Sequence, residues 1–261
     1  MFYPLEITVY LKSPLLYQTR KPIFPLCLDS LLTWAAAIEK KGLRALSPAP
    51  EALEEIKLPL KQSGDKYRYY HASAMMLPTG QENPEPICVD NYSWVRSQSW
   101  VDYGGKYIEK ARKKLVINKG RGHERAFSEE NILVNASYVK FYAMGDPYEV
   151  GRLLGYITHL GSRRNIGGGK IYSVEISRAR EDYGVIGPSE HPTRPVPVDE
   201  IKGSPLWFKT QATYKAPYWD VRETTLCYMP LPEQWCPTSM LPSRLLADPK
   251  KRYQIKKPAT S

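Results

Sequence analysis

Residues 146–171 read DPYEVGRLLGYITHLGSRRNIGGGKI, and this stretch predicts a helix, a glycine-rich loop and a strand in succession. Asp146 suits the N-cap, Pro147 suits the first helical position, and Glu149 lies where a capping-box carboxylate reaches back. Apolar residues then recur at helical spacing, so we expect an amphipathic helix that ends at Gly161. The apolar positions are Val150, Leu153, Leu154, Ile157 and Leu160.

The loop after this helix combines cations with three consecutive glycines. Glycines allow backbone N–H groups to approach an anion closely, and the cations attract phosphates. A tight turn with solvated arginines is the alternative, but the spacing of an apolar residue followed by Gly-x5-Gly-x-Gly favours a nucleic-acid backbone as ligand. The predicted binding residues of the loop are Gly161, Arg163, Arg164, Asn165, Gly167, Gly168, Gly169 and Lys170.

Hydrophobic patterns elsewhere predict the element order β-α-β-β-α-β. Asp29 is placed to cap a helix that Gly42 ends. This order is that of a ferredoxin-like α+β unit, whose two helices pack on one face of the sheet and leave the other face free for a partner. The predicted strands are residues 5–11, 67–76, 139–144 and 171–176, and the predicted helices are residues 29–41 and 146–160.

A basic insertion, over about residues 78–135, interrupts the unit between its second and third strands. Residues 94–127 contain nine cations against three acids and so supply +6 of the net charge of +10. The cations can neutralise phosphates, and the aromatic residues between them can stack on unpaired bases. A solvated insertion whose aromatic residues anchor it to the core is the alternative. The predicted contacts are Lys106, Lys110, Arg112, Lys113, Lys114, Lys119, Arg121 and Arg125.

The composition changes after residue 180. Four prolines between Pro188 and Pro197 discourage regular structure, yet the aromatic residues that follow are too numerous for a disordered tail. We therefore expect one domain over residues 1–180 and a proline-rich, loop-rich extension over residues 181–261 that packs on it. A hairpin is expected near residues 210–229, and the basic residues at the end of the chain are expected to form a solvated tail.

The overall composition excludes several classes of protein. The 261 residues are 42% hydrophobic and 25% charged, as in an ordinary globular protein, and the pI of about 9.3 favours acidic partners such as nucleic acid. No apolar run is long enough to span a membrane, and no signal peptide is visible, so we expect a cytoplasmic protein. The four cysteines lack Cys-x-x-Cys spacing, so we expect reduced thiols, no metal and no cofactor.

A catalytic site is not expected. Metal-independent RNA cleavage needs a general base and a general acid, and four histidines are candidates. His159 is explained by the dipole at a helix end, His71 by a hydrogen-bonded place in the sheet, and His123 by the charge of the insertion. His191 has no obvious partner, Asp182 is expected to be an exposed charge, and no nucleotide-binding or hydrolase motif is present.

The spacing Gly161-x5-Gly167-x-Gly169 between a helix and a strand resembles the glycine-rich loop of the CRISPR-associated RAMP superfamily. Residues 28–36 are similar to the first helix of these proteins, residues 70–74 to the strand after it, and residues 142–146 to the turn into the second helix. The chain is most similar to the type IV effector-complex subunit equivalent to Cas family five.

The resemblance covers residues 1–178 and implies a ferredoxin-like domain of the RNA-recognition-motif type that binds CRISPR RNA. It implies that the loop grips the 5′ handle of the RNA and that the insertion acts as a thumb. It also implies that the protein caps the filament of backbone subunits and lies beside the large subunit. A further implied partner is target DNA, held near the protospacer-adjacent motif. Two departures are His159, where the superfamily often has another glycine, and residues 181–261, which have no counterpart.

Two other functions remain open on the same residues. One is a metal-independent CRISPR RNA-processing endoribonuclease of Cas family six, which shares the fold and the loop but normally contains two ferredoxin-like units. The other is a general single-strand-binding module outside CRISPR systems, which would show little preference for a repeat-derived handle. We favour the non-catalytic RNA-binding subunit.

Overall fold

A computed structural model describes residues 1–18, 25–42, 53, 56–78, 88–96, 127–161, 164–218 and 220–231. Within these ranges the chain is a mixed α/β protein with two α-helices and several antiparallel sheets. The helices are α1 (Leu28–Lys41) and α2 (Pro147–Leu154). The strands are β1 (Tyr3–Leu11), β2 (Leu15–Gln18), β3 (Gln62–Ser63), β4 (Tyr69–Tyr70), β5 (Cys88–Arg96), β6 (Phe127–Asn135), β7 (Tyr138–Gly145), β8 (Ile171–Arg178), β9 (Val196–Pro197), β10 (Lys209–Thr213) and β11 (Thr224–Tyr228).

The central sheet has the strand order β7-β1-β8, and all its pairs are antiparallel. The predicted first, third and fourth strands are confirmed. Alternate residues of β1 point into the core, as do those of β7, and both helices contribute to the same core. Since strands expose side chains to opposite faces in turn, the remaining residues form the second face of the sheet.

The predicted strand over residues 67–76 is only partly regular. Its first part forms β4, and its second part runs beside β7 through isolated bridges from Ala72 to Ala143 and from Met76 to Lys140. The N–H groups between those bridges bond to different parts of the chain, because that of Ala74 donates to the Thr193 carbonyl and that of Met75 to Leu26. A continuous ladder therefore does not form.

Helix α1 begins one residue earlier than predicted, and Asp29 does not cap it. The N-cap is Cys27, whose side chain makes no capping bond, while Asp29 lies in the first turn and is fully buried. The predicted end is confirmed, because Gly42 has a φ of 68° and its N–H group donates to the Ile38 carbonyl. The Asp29 prediction is wrong because its carboxylate has a distant partner, Arg194.

Helix α2 begins as predicted but ends early. The Asp146 side chain accepts hydrogen bonds from the N–H groups of Tyr148 and Glu149, and Pro147 occupies the first position. The Glu149 carboxylate binds Arg152 rather than reaching back, so the predicted capping box is wrong.

The predicted helix end at Gly161 is also wrong. The helix stops at Leu154, and the N–H groups of Tyr156 and Ile157 donate to carbonyls only three residues back. Farther on, the N–H group of Leu160 donates to Gly169, so this segment joins the glycine loop instead of continuing the helix. The five apolar positions predicted for one helix face are nevertheless all buried.

Strands β5 and β6 lie within the insertion and were not predicted. They form an antiparallel ladder from the pair Cys88–Asn135 to the pair Arg96–Phe127, and β2 adds to the other edge of β6. Residues 97–126, which include every predicted contact from Lys106 to Arg125, lie outside the described residues.

The described residues after 180 contact the rest of the protein. Strands β10 and β11 form the predicted hairpin, and β9 pairs with β11. A second apolar cluster joins this region to Tyr69 of β4, around Val185, Val196 and Tyr214. The predicted basic tail falls within residues 232–261, which lie outside the described residues.

Candidate nucleic-acid interface

The glycine loop is held between two short arms that pair with each other. The Leu160 N–H group donates to the Gly169 carbonyl at 2.8 Å, and the Ile171 N–H group donates to Thr158 at 2.9 Å. His159 and Lys170 lie between these bonds as an isolated antiparallel bridge. The arms therefore fix both ends of the loop before β8 begins.

Two glycines of the loop are required for different reasons. Gly167 has a φ of 86°, but a Cβ there would have nothing within 4 Å. Gly169 has a φ of 63°, and its Cβ would lie 2.1 Å from the Leu160 carbonyl oxygen. Gly167 is thus needed for its backbone conformation alone, whereas Gly169 is needed for its conformation and for close approach between the arms.

Residues 12–14, which connect β1 to β2, hold the glycine loop through hydrogen bonds. The Ser13 hydroxyl donates to the Gly167 carbonyl at 2.6 Å and accepts from the Lys170 N–H group at 2.8 Å. The Gly169 N–H group donates to the Pro14 carbonyl at 2.7 Å. Sequence reasoning missed Ser13, since nothing in its local pattern indicates a partner more than 150 residues away.

These bonds change the expected role of the glycines. The N–H groups of Gly167, Gly169 and Lys170 are committed to Arg164, Pro14 and Ser13 respectively, so they do not form the predicted cradle for an anion. The glycines instead build a rigid turn.

The side chains available on the turn are those of Arg164, Asn165 and Lys170, which are exposed. Arg164 and Asn165 lie in a short 3-10 turn, and Gly168 and Gly169 are buried behind them. Arg163 lies outside the described residues. The structure therefore brings two of the predicted loop cations, an amide and the buried glycines together on one rigid turn.

Arg164 also contacts helix α1. Its guanidinium carbon lies over the Trp34 ring, 5.2 Å from the ring centroid. Trp34 is partly buried and packs against the main core with its inner side. Trp34 carries no functional signal in the sequence, because its spacing in α1 is that of an ordinary core residue.

The second face of the central sheet has a different character. Tyr10 and Tyr138 contact each other across β1 and β7, with ring centroids 6.1 Å apart. Glu175 lies beside Tyr10, and its negative charge is the main cause of the raised pKa of that phenol. Glu6 pairs with Lys140 at 3.2 Å. This aromatic face carries two carboxylates and one ammonium, which does not favour phosphate.

His71 lies in a hydrogen-bonded site between Asp182 and Ser63. His71 is hydrogen-bonded as predicted, with Nδ1 2.6 Å from Asp182 and Nε2 2.7 Å from the Ser63 hydroxyl. The Asp182 side chain is only 26% exposed and is paired with His71, so the prediction that it is an exposed charge is wrong. Burial raises the pKa of the Asp182 carboxyl, but the contacts with His71, the Gly184 N–H group and Lys61 together outweigh burial, and the net shift is downward.

The other histidines show no catalytic arrangement in the described part of the chain. His159 is in the bridge to Lys170 rather than in a last helical turn, and its Nδ1 lies 2.9 Å from the Thr158 hydroxyl. The buried Nδ1 atom of His191 has no hydrogen-bond partner, in keeping with the expectation. His123 lies outside the described residues.

The described residues contain no group of three or more His, Cys, Asp or Glu side chains that could hold a metal ion. Cys27 and Cys227 are free and buried, and burial raises the pKa of each thiol to about 12. The side chain of Cys88 and the whole of Cys236 are outside what the structure describes. Neither α1 nor α2 is long and apolar enough to cross a membrane.

Comparison with known proteins gives one family. The family model of CRISPR type IV associated protein Csf3 matches residues 3–230, which is most of the chain and includes the loop, the insertion and the C-terminal hairpin. No curated protein matches the chain. The extent of the match shows that this chain belongs to the family of the CRISPR type IV associated protein Csf3.

Proposed function

We propose that the protein is the RNA-binding subunit of a type IV effector complex that grips the 5′ handle of CRISPR RNA. Membership of the family implies partnership within such a complex. The observation that carries the proposal is the hydrogen-bonded turn over residues 164–170, which presents Arg164, Asn165 and Lys170 to solvent. Cations held on a fixed turn bind a phosphate backbone with little loss of side-chain or loop freedom.

The arrangement of the core supports a ferredoxin-like domain of the RNA-recognition type. The central sheet has the order β8-β1-β7. The irregular segment of residues 72–76 lies beside β7 and takes the place of a fourth strand. Both helices pack into the core on one face. On this proposal, residues 1–180 are the domain and residues 181–261 are an extension fixed to it by the second apolar cluster.

The proposal gives the insertion the role of a thumb. The ladder of β5 and β6 is its base, and residues 97–126 connect the two strand ends. Those residues contain all eight predicted contacts of the insertion, and their charge is strongly positive. The thumb would lie between the handle and the spacer of the guide.

Within the complex, the subunit would be equivalent to that of Cas family five. It would cap the filament of backbone subunits beside the large subunit and help to hold target DNA near the protospacer-adjacent motif. We assign it no catalytic role, because both ring nitrogens of His71 are engaged by Asp182 and Ser63, and Nδ1 of His159 lies 2.9 Å from the Thr158 hydroxyl. An RNA-binding function needs neither metal nor cofactor.

The proposal is tested by mixing the full-length protein with labelled precursor CRISPR RNA from its own locus, without added metal. A mobility-shift gel reports binding and a denaturing gel reports cleavage. We expect handle-dependent binding with intact RNA, and loss of binding in the Arg164→Ala/Lys170→Ala variant. A matched variant, Lys202→Ala/Lys209→Ala, removes two exposed lysines of the C-terminal region and is expected to bind normally.

Two results would overturn the proposal. A defined cut within the repeat would make the protein an endoribonuclease of the kind found in Cas family six. Equal affinity for the handle and for an unrelated strand of the same length would make it a general single-strand binder.

A further inference from the structure

Next to the glycine loop, Trp34 and Arg164 contact each other although they are far apart in sequence. Trp34 comes from α1 and Arg164 from the turn that follows α2, and the guanidinium lies 5.2 Å from the indole centroid. The indole is anchored by the core on its inner side, and the arginine is exposed. An aromatic ring and a planar cation thus meet at the edge of the turn that carries Lys170.

We propose that Trp34 and Arg164 form the stacking platform for one unpaired base of the bound RNA. This inference rests on the proposed function and adds a specific base contact to it. Aromatic rings and guanidinium planes are the groups on which proteins stack splayed-out bases. With Lys170 on the same turn, one nucleotide can place its base on the platform and its phosphate near a cation.

The second face of the central sheet is another aromatic surface that a base could use. Its carboxylates, Glu6 and Glu175, would lie close to the phosphates of an RNA that crossed it. Repulsion between like charges disfavours that path. Arg164, in contrast, brings a positive charge to the Trp34 ring, so charge and stacking act together at the platform.

The platform is tested with the full-length protein and the repeat-derived 5′ segment of the guide RNA from the same locus. A set of RNAs is made in which one base at a time is replaced by an abasic site. For the wild-type protein, fluorescence anisotropy should show one position at which removing the base weakens binding about tenfold, in line with stacking on an aromatic side chain.

Two variants connect that position to the platform. Trp34→Leu keeps apolar packing but removes the ring, and Arg164→Lys keeps the charge but removes the plane. Each should bind the intact RNA about tenfold more weakly and show no further loss on the RNA that lacks the critical base. Tyr10→Leu, on the second face of the sheet, should bind every RNA as the wild type does.

Several outcomes would overturn the inference. If the wild type prefers the handle but both variants keep the sensitivity to the same abasic site, the platform is wrong and the proposed function stands. If Trp34→Leu fails to fold by thermal melting, Arg164→Lys decides alone, since its side chain is exposed. If the wild-type protein shows no preference for the handle, the proposed function and the platform both fail.

Discussion

Arg194 and Asp29 form an ion pair in the interior of the protein, with Nη2 of the arginine 3.0 Å from Oδ2 of the aspartate. Both side chains are fully buried. Arg194 also donates to the Tyr214 carbonyl at 2.6 Å, and the Tyr218 hydroxyl donates to Asp29. The pair therefore connects the C-terminal extension to the first turn of α1, with its remaining donors and acceptors satisfied.

Replacing Arg194 is expected to destabilise the whole fold. In Arg194→Met the Asp29 carboxylate stays buried without its cation, which typically costs about 3–5 kcal/mol. The free energy of unfolding, measured by urea denaturation, gives the loss. Lys66→Ala removes an ion pair with Asp199 in which both side chains are more than half exposed, and should cost ~1 kcal/mol or less. If the free energy of unfolding fell equally in the two variants, the buried ion pair would stabilise the fold no more than the exposed one does.

Gly169→Ala and Gly167→Ala separate the two requirements of the glycine loop. Gly167→Ala places a side chain at positive φ in open space, at a cost of about 1–2 kcal/mol. Gly169→Ala adds a clash with the Leu160 carbonyl and should cost roughly 3 kcal/mol or more. Thermal melting measures both. RNA affinity should follow the same order, because the clash displaces the turn that carries Lys170; a reversed order would contradict this view of the loop.

The salt dependence of RNA binding should identify which side chains contact phosphates. Each phosphate contact with single-stranded RNA contributes about 0.7 to the slope of log affinity against log salt concentration. Arg164→Ala and Lys170→Ala should each lower the slope by about that amount. Asn165→Ala, a neutral neighbour on the same turn, should leave the slope unchanged. Unchanged slopes in both cationic variants would exclude phosphate contacts by this loop.

The stability of the protein should fall in acid through Asp182. Its folded pKa lies below the ordinary value of 3.8, despite burial, because of the hydrogen bond from His71 and the nearby Lys61 ammonium. The carboxylate therefore stabilises the fold above pH 3.8, and this contribution is lost as the pH falls through and below that value.

Asp182→Asn provides the measurement. At neutral pH it should be less stable than the wild type by on the order of 1 kcal/mol, since the carboxylate is partly exposed. The difference should shrink below pH 3.8, where the wild type also loses the charge. Glu181→Gln, an exposed neighbour, should match the wild type at every pH. A constant gap between Asp182→Asn and the wild type down to pH 2 would disprove the assignment.

Local patterns in the sequence were sufficient for the elements of the main core. Alternation identified β1 and β7, the glycine-rich loop located the start of β8, and the cap at Asp146 located the start of α2. These signals are local, since each depends on residues within one turn of helix or one pleat of strand. The predicted hairpin of β10 and β11 is also local, because its two strands are close together in the sequence.

The features that were missed depend on distant partners. Aspartate is a preferred residue at an N-cap, but the partner of Asp29 is Arg194, which is 165 residues away. Leu160 has helical spacing, yet its N–H group bonds across the loop to Gly169. Strands β5 and β6 pair across an intervening segment of about 30 residues, so no short hairpin turn marks them. The contact between Trp34 and Arg164 likewise joins two elements that sequence alone does not bring together.

The last rung of the β5–β6 ladder has Arg96 opposite Phe127. The chain therefore leaves this sheet and returns to it at neighbouring points, whatever the length of the segment between them. Doubling the length of a segment closed in this way costs only about 0.6 kcal/mol of chain entropy. The segment between Arg96 and Phe127 can therefore change in length at little cost to the packed core that supports the glycine loop.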